Sequence, residues 1–206
     1  MRHSALWLCV SASLSIGCSD TPSRLQQQTL NSSSAAEEAI KANDKDGDGN
    51  LSAIELDGIP SIKSDLNQFD LDKNQSVNAS EIAARIDRWQ ALKVALVPCS
   101  FVVKLDGKPL PDAEVKLEPE PFFASSLPMC EGKTDAGGRV SPSKNETAGS
   151  DPSAGLTGVP PGLYKLKITH PKLNKLPKYN TETVLGLQVA PDNPNLMLLE
   201  FSLSSN

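Results

Sequence analysis

Aromatic residues and basic clusters are scarce in this chain of 206 residues. Phe, Trp and Tyr make up 4% of the sequence, and 25 Asp and Glu residues outnumber 20 Lys and Arg residues, which gives a formal net charge of -5. A nucleic-acid-binding domain normally carries a basic patch and aromatic side chains that stack on bases. We therefore expect no DNA or RNA partner.

Long hydrophobic runs are also missing beyond the first few residues. No apolar stretch there approaches the roughly 20 residues that a membrane-spanning helix needs. The hydrophobic fraction of 38% and the charged fraction of 22% are typical of folded, soluble domains. We expect one or two small domains and no transmembrane helix after the N-terminus.

Histidine is nearly absent. After His3 the sequence contains only His170, which lies beside Pro171 at the predicted end of a strand. It has no second histidine and no Cys-x-x-Cys pair with which it could form a zinc site or a nucleophilic dyad. We therefore predict that the protein is not an enzyme.

The N-terminus has the pattern of an export signal, with an apolar stretch from Ala5 to Ile16 followed by small residues. The segment Leu14-Ser15-Ile16-Gly17-Cys18 resembles the lipobox of bacterial lipoproteins, in which the cysteine is lipidated and becomes the new N-terminus. The resemblance implies a signal peptide over residues 1–17 and a lipid anchor on Cys18. A secreted protein with a free Cys18 is the alternative.

Residues 18–34 are predicted to form a flexible tether behind the lipidated cysteine. From Ser19 to Ser34 the chain is rich in Ser, Thr, Gln and Asn and has no apolar periodicity. We expect this tether to hold the folded part at the membrane of the bacterial cell envelope, facing either the periplasm or the cell surface.

Two cysteines, Cys99 and Cys130, remain once Cys9 leaves with the signal and Cys18 carries lipid. In an oxidising compartment such a pair predicts a disulfide. Closing a loop of about 30 residues would stabilise the fold by about 3 to 4 kcal/mol in the chain-entropy model.

The clearest motif is the segment from Asp44 to Glu55, here called the first acidic loop. Carboxylates occupy positions one, three and five, Gly49 stands at position six where a left-handed turn is needed, and position twelve can supply two oxygens. This spacing fits the calcium-binding loop of an EF-hand. The predicted calcium ligands are Asp44, Asp46, Asp48, Asn50 through its backbone carbonyl, Ser52 and Glu55.

A second acidic loop, from Asp70 to Glu81, begins 26 residues after the first. Its position six is Gln75, and a side chain held at positive φ costs on the order of 1 kcal/mol or more. We expect this site to be weaker than the first, or filled only after it, with Leu51 and Val77 pairing at position eight of the two loops. The predicted ligands are Asp70, Asp72, Asn74, Ser76, Asn78 and Glu81.

Helix-forming segments flank both loops. Ile82, Ile86 and Trp89 are spaced three or four residues apart and form an apolar stripe on the last of these helices. Gly58 and Pro60 shorten the segment between the loops. The predicted helices span 35–43, 61–69 and 79–96.

The two loops and the segment between them are strongly acidic. Residues 44–81 contain nine acidic and three basic residues, a net charge of -6 that two calcium ions would nearly neutralise. The region resembles the compact EF-hand pairs of exported bacterial proteins. This implies a domain over residues 35–97 in which calcium has a structural or sensory role.

From Pro98 the pattern changes from helical to alternating. Fourteen of the 16 prolines lie from this point onward, which disfavours helices. About seven short strands are predicted, and hence a small β-sandwich over residues 98–206, with 118–133 and 143–156 as surface loops. Five of them are expected near 101–105, 113–117, 163–169, 183–189 and 196–203, and another follows the turn at 134–140.

Several turn segments in this half resemble those of carboxypeptidase regulatory-like domains. They are Asp106-Gly107-Lys108-Pro109-Leu110, Ala113-Glu114-Val115, Thr134-Asp135 with Gly137 and Gly138, and Gly158-Val159-Pro160-Pro161-Gly162-Leu163-Tyr164. The resemblance covers residues 99–203 and implies a transthyretin-like sandwich without catalytic activity. The expected fold class is thus α + β, an all-α EF-hand pair followed by an all-β sandwich.

These patterns favour a calcium-binding, membrane-tethered exported module. Calcium would order the helical half, and the β half would contact a protein or glycan that the sequence does not identify. An accessory domain of a secreted hydrolase and a structural stalk rigidified by calcium are the alternatives. A hydrolase screen, and partner capture with and without chelator, would distinguish them.

Overall fold

The computed structural model describes residues 25–144, 157–193, 196 and 199–205. Both helices and sheets are present, and the helices precede the main sheets along the chain. The helices are α1 (Ser32–Asn43), α2 (Pro60–Lys63), α3 (Leu66–Phe69) and α4 (Ala79–Ala91). The strands are β1 (Asn50–Leu51), β2 (Val77–Asn78), β3 (Phe101–Leu105), β4 (Lys108–Pro109), β5 (Glu114–Pro119), β6 (Cys130–Lys133), β7 (Arg139–Val140), β8 (Ser143–Lys144), β9 (Gly162–Thr169), β10 (Gly186–Val189) and β11 (Leu199–Leu203).

The predicted tether is folded in its last part. α1 begins at Ser32 because the Asn31 side chain caps it, accepting a hydrogen bond from the Ser34 N–H at 3.0 Å. Leu30 is buried, and its backbone exchanges two hydrogen bonds with the Gln90 side chain on α4. A tether that extends to residue 34 is therefore wrong. The predicted signal peptide and Cys18 lie outside the described residues.

The two helices that flank the second acidic loop are shorter than predicted. The segment 61–69 forms α2 and α3 rather than one helix. α4 starts with a reciprocal capping box, in which Asn78 accepts from the Glu81 N–H and Glu81 accepts from the Asn78 N–H. It ends at Ala91 rather than at residue 96, and Lys93 follows with a φ of 53°.

Two sheets make up the C-terminal half. The order of the larger is β10-β9-β5-β6-β8, and all of its pairs are antiparallel. In the smaller, β3 pairs with β4 and β7 antiparallel and with β11 parallel. Apolar residues alternate towards the interior on β3, β5 and β9, which agrees with the predicted alternation.

The segments predicted as surface loops contribute strands. β6 lies inside the stretch 118–133 and pairs with β5, with Cys130 opposite Leu117. β8 begins the stretch 143–156 and pairs with β6. Sequence periodicity missed both because β6 contains Gly132 and β8 has only two residues, so neither shows an alternating pattern.

The predicted disulfide between Cys99 and Cys130 is not formed in the structure. Both residues are buried free thiols, and burial raises the pKa of each to about 12. Cys99 adds to the rise of the Cys130 pKa, after the larger effect of burial. The number of cysteines and an oxidising compartment predict a disulfide. In the structure each cysteine is instead buried as a free thiol, which packs as a small apolar residue.

The helical half packs directly against the larger sheet. α2 lies on β10 and β9 at a close backbone approach, because a Cβ placed on Gly186 would lie 2.1 Å from the Ser61 nitrogen. Buried residues of both halves belong to one core. Here the contact zone between the helical half and the larger sheet is called the seam.

Candidate metal centres

The first acidic loop holds its first carboxylate in a fixed place. Asp44 follows α1 directly, and its Oδ1 and Oδ2 accept hydrogen bonds from the Gly47 N–H at 2.7 Å and the Gly49 N–H at 2.9 Å. Asp46 and Asp48 accept from backbone N–H groups two residues ahead. Backbone N–H groups of the loop thus donate hydrogen bonds to all three carboxylates.

Glu55, the twelfth residue, closes this loop. Its Oε1 accepts from the Lys45 N–H at 2.7 Å, and its Oε2 accepts from the Ser52 N–H at 2.8 Å and the Ser52 hydroxyl at 2.7 Å. The Lys45 N–H and the two Ser52 donors lower the pKa of Glu55 to about 2. The carboxylate is thus ionised, as a calcium ligand must be.

The second acidic loop repeats this arrangement. The first-position carboxylate of Asp70 accepts from the position-six N–H of Gln75 at 2.9 Å, as Asp44 does from Gly49. Glu81 accepts from the Leu71 N–H and the Asn78 N–H, both at 2.9 Å, as Glu55 does from positions two and nine of its own loop. The two loops therefore share three hydrogen bonds at equivalent positions, from position six to position one and from positions two and nine to position twelve.

Their backbone conformations agree as well. Positions four and six have positive φ in both loops, at 77° and 84° for Gly47 and Gly49 and at 63° and 68° for Lys73 and Gln75. The left-handed conformation predicted for Gln75 is thus confirmed. A non-glycine residue at these positions is strained, so the second loop has a conformational cost that the first lacks.

A short two-stranded sheet joins the loops. β1 and β2 are antiparallel, with Leu51 opposite Val77, and both side chains are fully buried. The predicted pairing at position eight is therefore confirmed. The pairing sets the loops side by side, so a change in one can reach the other through two backbone strands.

The carboxylate spacing suits a calcium ion. Asp44, Asp46 and Asp48 each place a carboxylate oxygen within 4.8 Å of the others, and so do Asp70, Asp72 and Glu81. Oxygens bound to one calcium ion at 2.3–2.6 Å can be at most about 5 Å apart. The separations in both clusters are therefore short enough for one calcium ion, and their donors are the hard oxygens that calcium prefers.

The remaining predicted ligands take part in the loop hydrogen bonds. Asn74 accepts from the Ser76 N–H at 2.8 Å and from its hydroxyl at 2.6 Å, and the Asn78 side chain accepts from the Glu81 N–H at 3.1 Å. The Asn50 N–H donates to Asp48 at 2.7 Å. All twelve predicted ligand residues thus form hydrogen bonds within their own loop. The acidic clusters contain six of them, namely Asp44, Asp46, Asp48, Asp70, Asp72 and Glu81.

An arginine that sequence reasoning missed connects this region to the larger sheet. Arg85 on α4 is 5% exposed, and it donates to both carboxylate oxygens of Asp192 at 2.8 and 2.9 Å and to Gln188 on β10 at 2.9 Å. Partial burial raises the pKa of Asp192, but the hydrogen bond from Arg85 and the charges of Arg85 and Arg88 lower it more. The pKa of Asp192 is therefore below its ordinary value. The one available signal was a basic residue between Ile82 and Ile86, on the side of a helix that is otherwise apolar.

No family model, no curated protein and no solved structure matches this chain. Within the described residues, no helix has the length and apolarity needed to cross a membrane.

Proposed function

We propose that this protein is a calcium-binding module of the bacterial cell envelope, built from an EF-hand pair and a transthyretin-like sandwich. The observation that supports this most strongly is the position-by-position equivalence of the two acidic loops. Both have a carboxylate at positions one, three and twelve, positive φ at four and six, and a β-pair at eight. Two loops of this kind side by side are the arrangement expected of an EF-hand pair.

The calcium ligands would be the twelve residues named above. The first loop would bind more tightly, because it has four carboxylates and glycine at both left-handed positions. Modules of this kind outside the cytosol bind calcium at about 10⁻⁴ to 10⁻³ M. The function is non-catalytic, and calcium acts by ordering the helical half.

The remaining parts of the proposal follow from the sequence resemblances. Cys18 carries the lipid anchor, and the sandwich presents its surface to a protein or glycan in the envelope. A calcium-rigidified stalk is the second candidate function. It is favoured by the seam, where α2 and α4 both contact the larger sheet rather than being joined to it by a free linker.

Calorimetric titration of calcium into the full chain tests the proposal. Glu55→Gln removes one carboxylate oxygen and the charge of position twelve, and we expect it to weaken the tighter site at least tenfold. Glu37→Gln, an exposed residue of α1 outside both loops, is the matched control and should bind as the parent does. Equal binding by Glu55→Gln and the parent would refute the ligand assignment.

A further inference from the structure

The seam contains a hollow that no residue of the two acidic loops lines. It has a volume of about 440 Å³, which is within the range of small-molecule sites. α1 and the turn after the first acidic loop form one wall, and the larger sheet with the turn that follows β5 forms the other. Its apolar lining includes Ile59, Pro121 and Phe122.

A second hollow of about 440 Å³ adjoins the first. Pro121 and Lys165 line both, so Lys165 stands between two apolar surfaces. Leu127 and Met129 line the second hollow, and Met129 is one of the few large apolar side chains that are exposed, at 42%. Together the hollows form one groove, here called the seam groove, and Lys165 lines both of its parts.

Lys165 differs from the neighbouring lysines of the same sheet face. Lys167 pairs with Glu118, and Lys116 pairs with Glu131 at 3.1 Å. Lys165 has only Glu120, whose Oε2 is 3.7 Å from its Nζ, too far for a hydrogen bond. Within the part of the chain that the structure describes, the Lys165 ammonium therefore lacks a hydrogen-bonded counter-charge.

Glu120 does not compensate Lys165 well. It is fully buried at the foot of the groove, its Oε1 accepts from the Ser61 hydroxyl at 2.6 Å, and its Oε2 has no hydrogen-bond partner among the described residues. Burial raises the pKa of this carboxyl group against the opposing effects of Ser61 and Lys165. Glu120 Oε2 is therefore close to the Lys165 ammonium without forming a hydrogen bond to it.

We propose that the seam groove binds a small organic carboxylate whose apolar body lies on Phe122, Pro121 and Met129 and whose carboxylate pairs with Lys165. The other charged groups that line the first hollow are Lys41, which favours an anion, and Glu38, which lies beside it on α1. Glu118, in the second hollow, is already paired with Lys167. This inference goes beyond calcium binding and does not depend on it.

Calorimetry with 4-phenylbutyrate tests the proposal on the full chain at pH 7, with 4-phenylbutylamine as the probe of opposite charge. We expect the carboxylate to bind at least tenfold more tightly than the amine, because a charge-assisted hydrogen bond to Lys165 is available only to the anion. Equal or tighter binding of the amine would overturn the proposal, as would no binding of the carboxylate.

Substitutions locate the site. Lys165→Met should weaken 4-phenylbutyrate at least tenfold, while Lys165→Arg should stay within about threefold of the parent. Lys116→Met is the matched control and should bind as the parent does, because neither Lys116 nor its partner Glu131 lines either hollow. If Lys165→Met unfolds, Lys165→Gln takes its place, because it keeps a polar side chain without the charge. It should also weaken 4-phenylbutyrate at least tenfold, and binding as tight as that of the parent would overturn the proposal.

Glu120→Gln distinguishes a ligand held by the Lys165 ammonium from a ligand held by the Glu120 carboxylate. The amide keeps the size of the side chain and can still accept from Ser61, but it carries no negative charge. We expect 4-phenylbutyrate to bind Glu120→Gln as tightly as the parent or more tightly. A tenfold loss would mean that the Glu120 carboxylate itself holds the ligand, which would contradict the proposal.

Discussion

Gln75 is the residue that most clearly separates the two acidic loops. Its φ of 68° lies close to the 84° of Gly49 at the same loop position. A glutamine in one loop and a glycine in the other therefore adopt the same left-handed backbone conformation. A Cβ placed on Gly49 would meet no atom within 4 Å. The difference between the sites at this position is thus backbone strain rather than crowding.

Exchanging these two residue types should change calcium affinity in opposite directions. We expect Gln75→Gly to tighten the second site about fivefold, which corresponds to relief of about 1 kcal/mol of strain when calcium holds the loop. Gly49→Gln should weaken the first site by a similar factor. Calorimetric titration of both variants measures the two changes, and unchanged affinity in both would contradict the strain argument.

The twelve positions proposed as calcium ligands could be assigned from the sequence because the calcium motif is defined by spacing within one short segment. Whether Cys99 and Cys130 form a disulfide could not be predicted in this way. Their bonding depends on the surroundings of two residues that are 31 positions apart in the sequence. The same limit applies to Arg85, whose partners Gln188 and Asp192 lie more than 100 residues along the chain. Spacing predicts local chemistry and leaves long-range partners undetermined.

Free and buried thiols predict a particular labelling pattern. At pH 8, iodoacetamide should leave Cys99 and Cys130 unmodified in the folded protein, since burial removes access and a pKa of about 12 leaves little thiolate. Both should react in denaturant without reductant. Intact mass measures the number of labels, and resistance in denaturant that reductant abolishes would show that the cysteines are bonded after all.

At the scale of elements, sequence patterns predicted which segments are helical or extended better than where they end. β3 matches its predicted bounds, and β9 begins one residue early. α4 stops five residues short of its predicted end, and the segment 61–69 divides into α2 and α3. Helix ends are decided by caps and by packing on the larger sheet, which periodicity does not encode.

α4 connects the second acidic loop to the helical core. Glu81 lies in its first turn, and Trp89 follows eight residues later, about 12 Å along the axis. The Trp89 indole is fully buried, with the ring of Phe69 edge-on at 6.5 Å. Phe69 immediately precedes Asp70, so both ends of the loop are joined to residues in contact with each other.

Trp89 should therefore report on calcium in the second loop. We expect its fluorescence to change when calcium is added and to return with chelator, because ordering Asp70 and Glu81 moves α3 and α4 relative to each other. Glu81→Gln should abolish the change, and the exposed Glu37→Gln should retain it. A signal that ignores calcium in a protein shown to bind it would mean that the second loop does not move these helices.

At the scale of the whole molecule, hydrogen bonds across the seam join the helical half to the larger sheet. Arg85 makes two hydrogen bonds to Asp192, and Ser61 makes one to the buried Glu120. The change from a helical to an alternating pattern predicts a domain boundary at residue 97. The packing across that boundary could not be predicted, since it depends on polar residues far apart in sequence.

Breaking the arginine contact should destabilise the whole protein. Arg85→Met removes both hydrogen bonds to Asp192 and leaves Gln188 without its donor, and we expect a loss of about 3 kcal/mol in the free energy of unfolding. Arg88→Met, which pairs with the same carboxylate but is 69% exposed, should cost less than about 1 kcal/mol. Urea unfolding of both variants measures the difference, and equal losses would contradict the buried role of Arg85.

The number of calcium ions bound per chain tests the central claim most directly. Native mass spectrometry of the full chain at increasing calcium should show two ions on the parent, one on Glu55→Gln, one on Glu81→Gln and none on the double variant. Glu37→Gln should again bind two. A parent that binds no calcium, or a double variant that still binds two ions, would contradict the assignment of the acidic loops as the calcium sites.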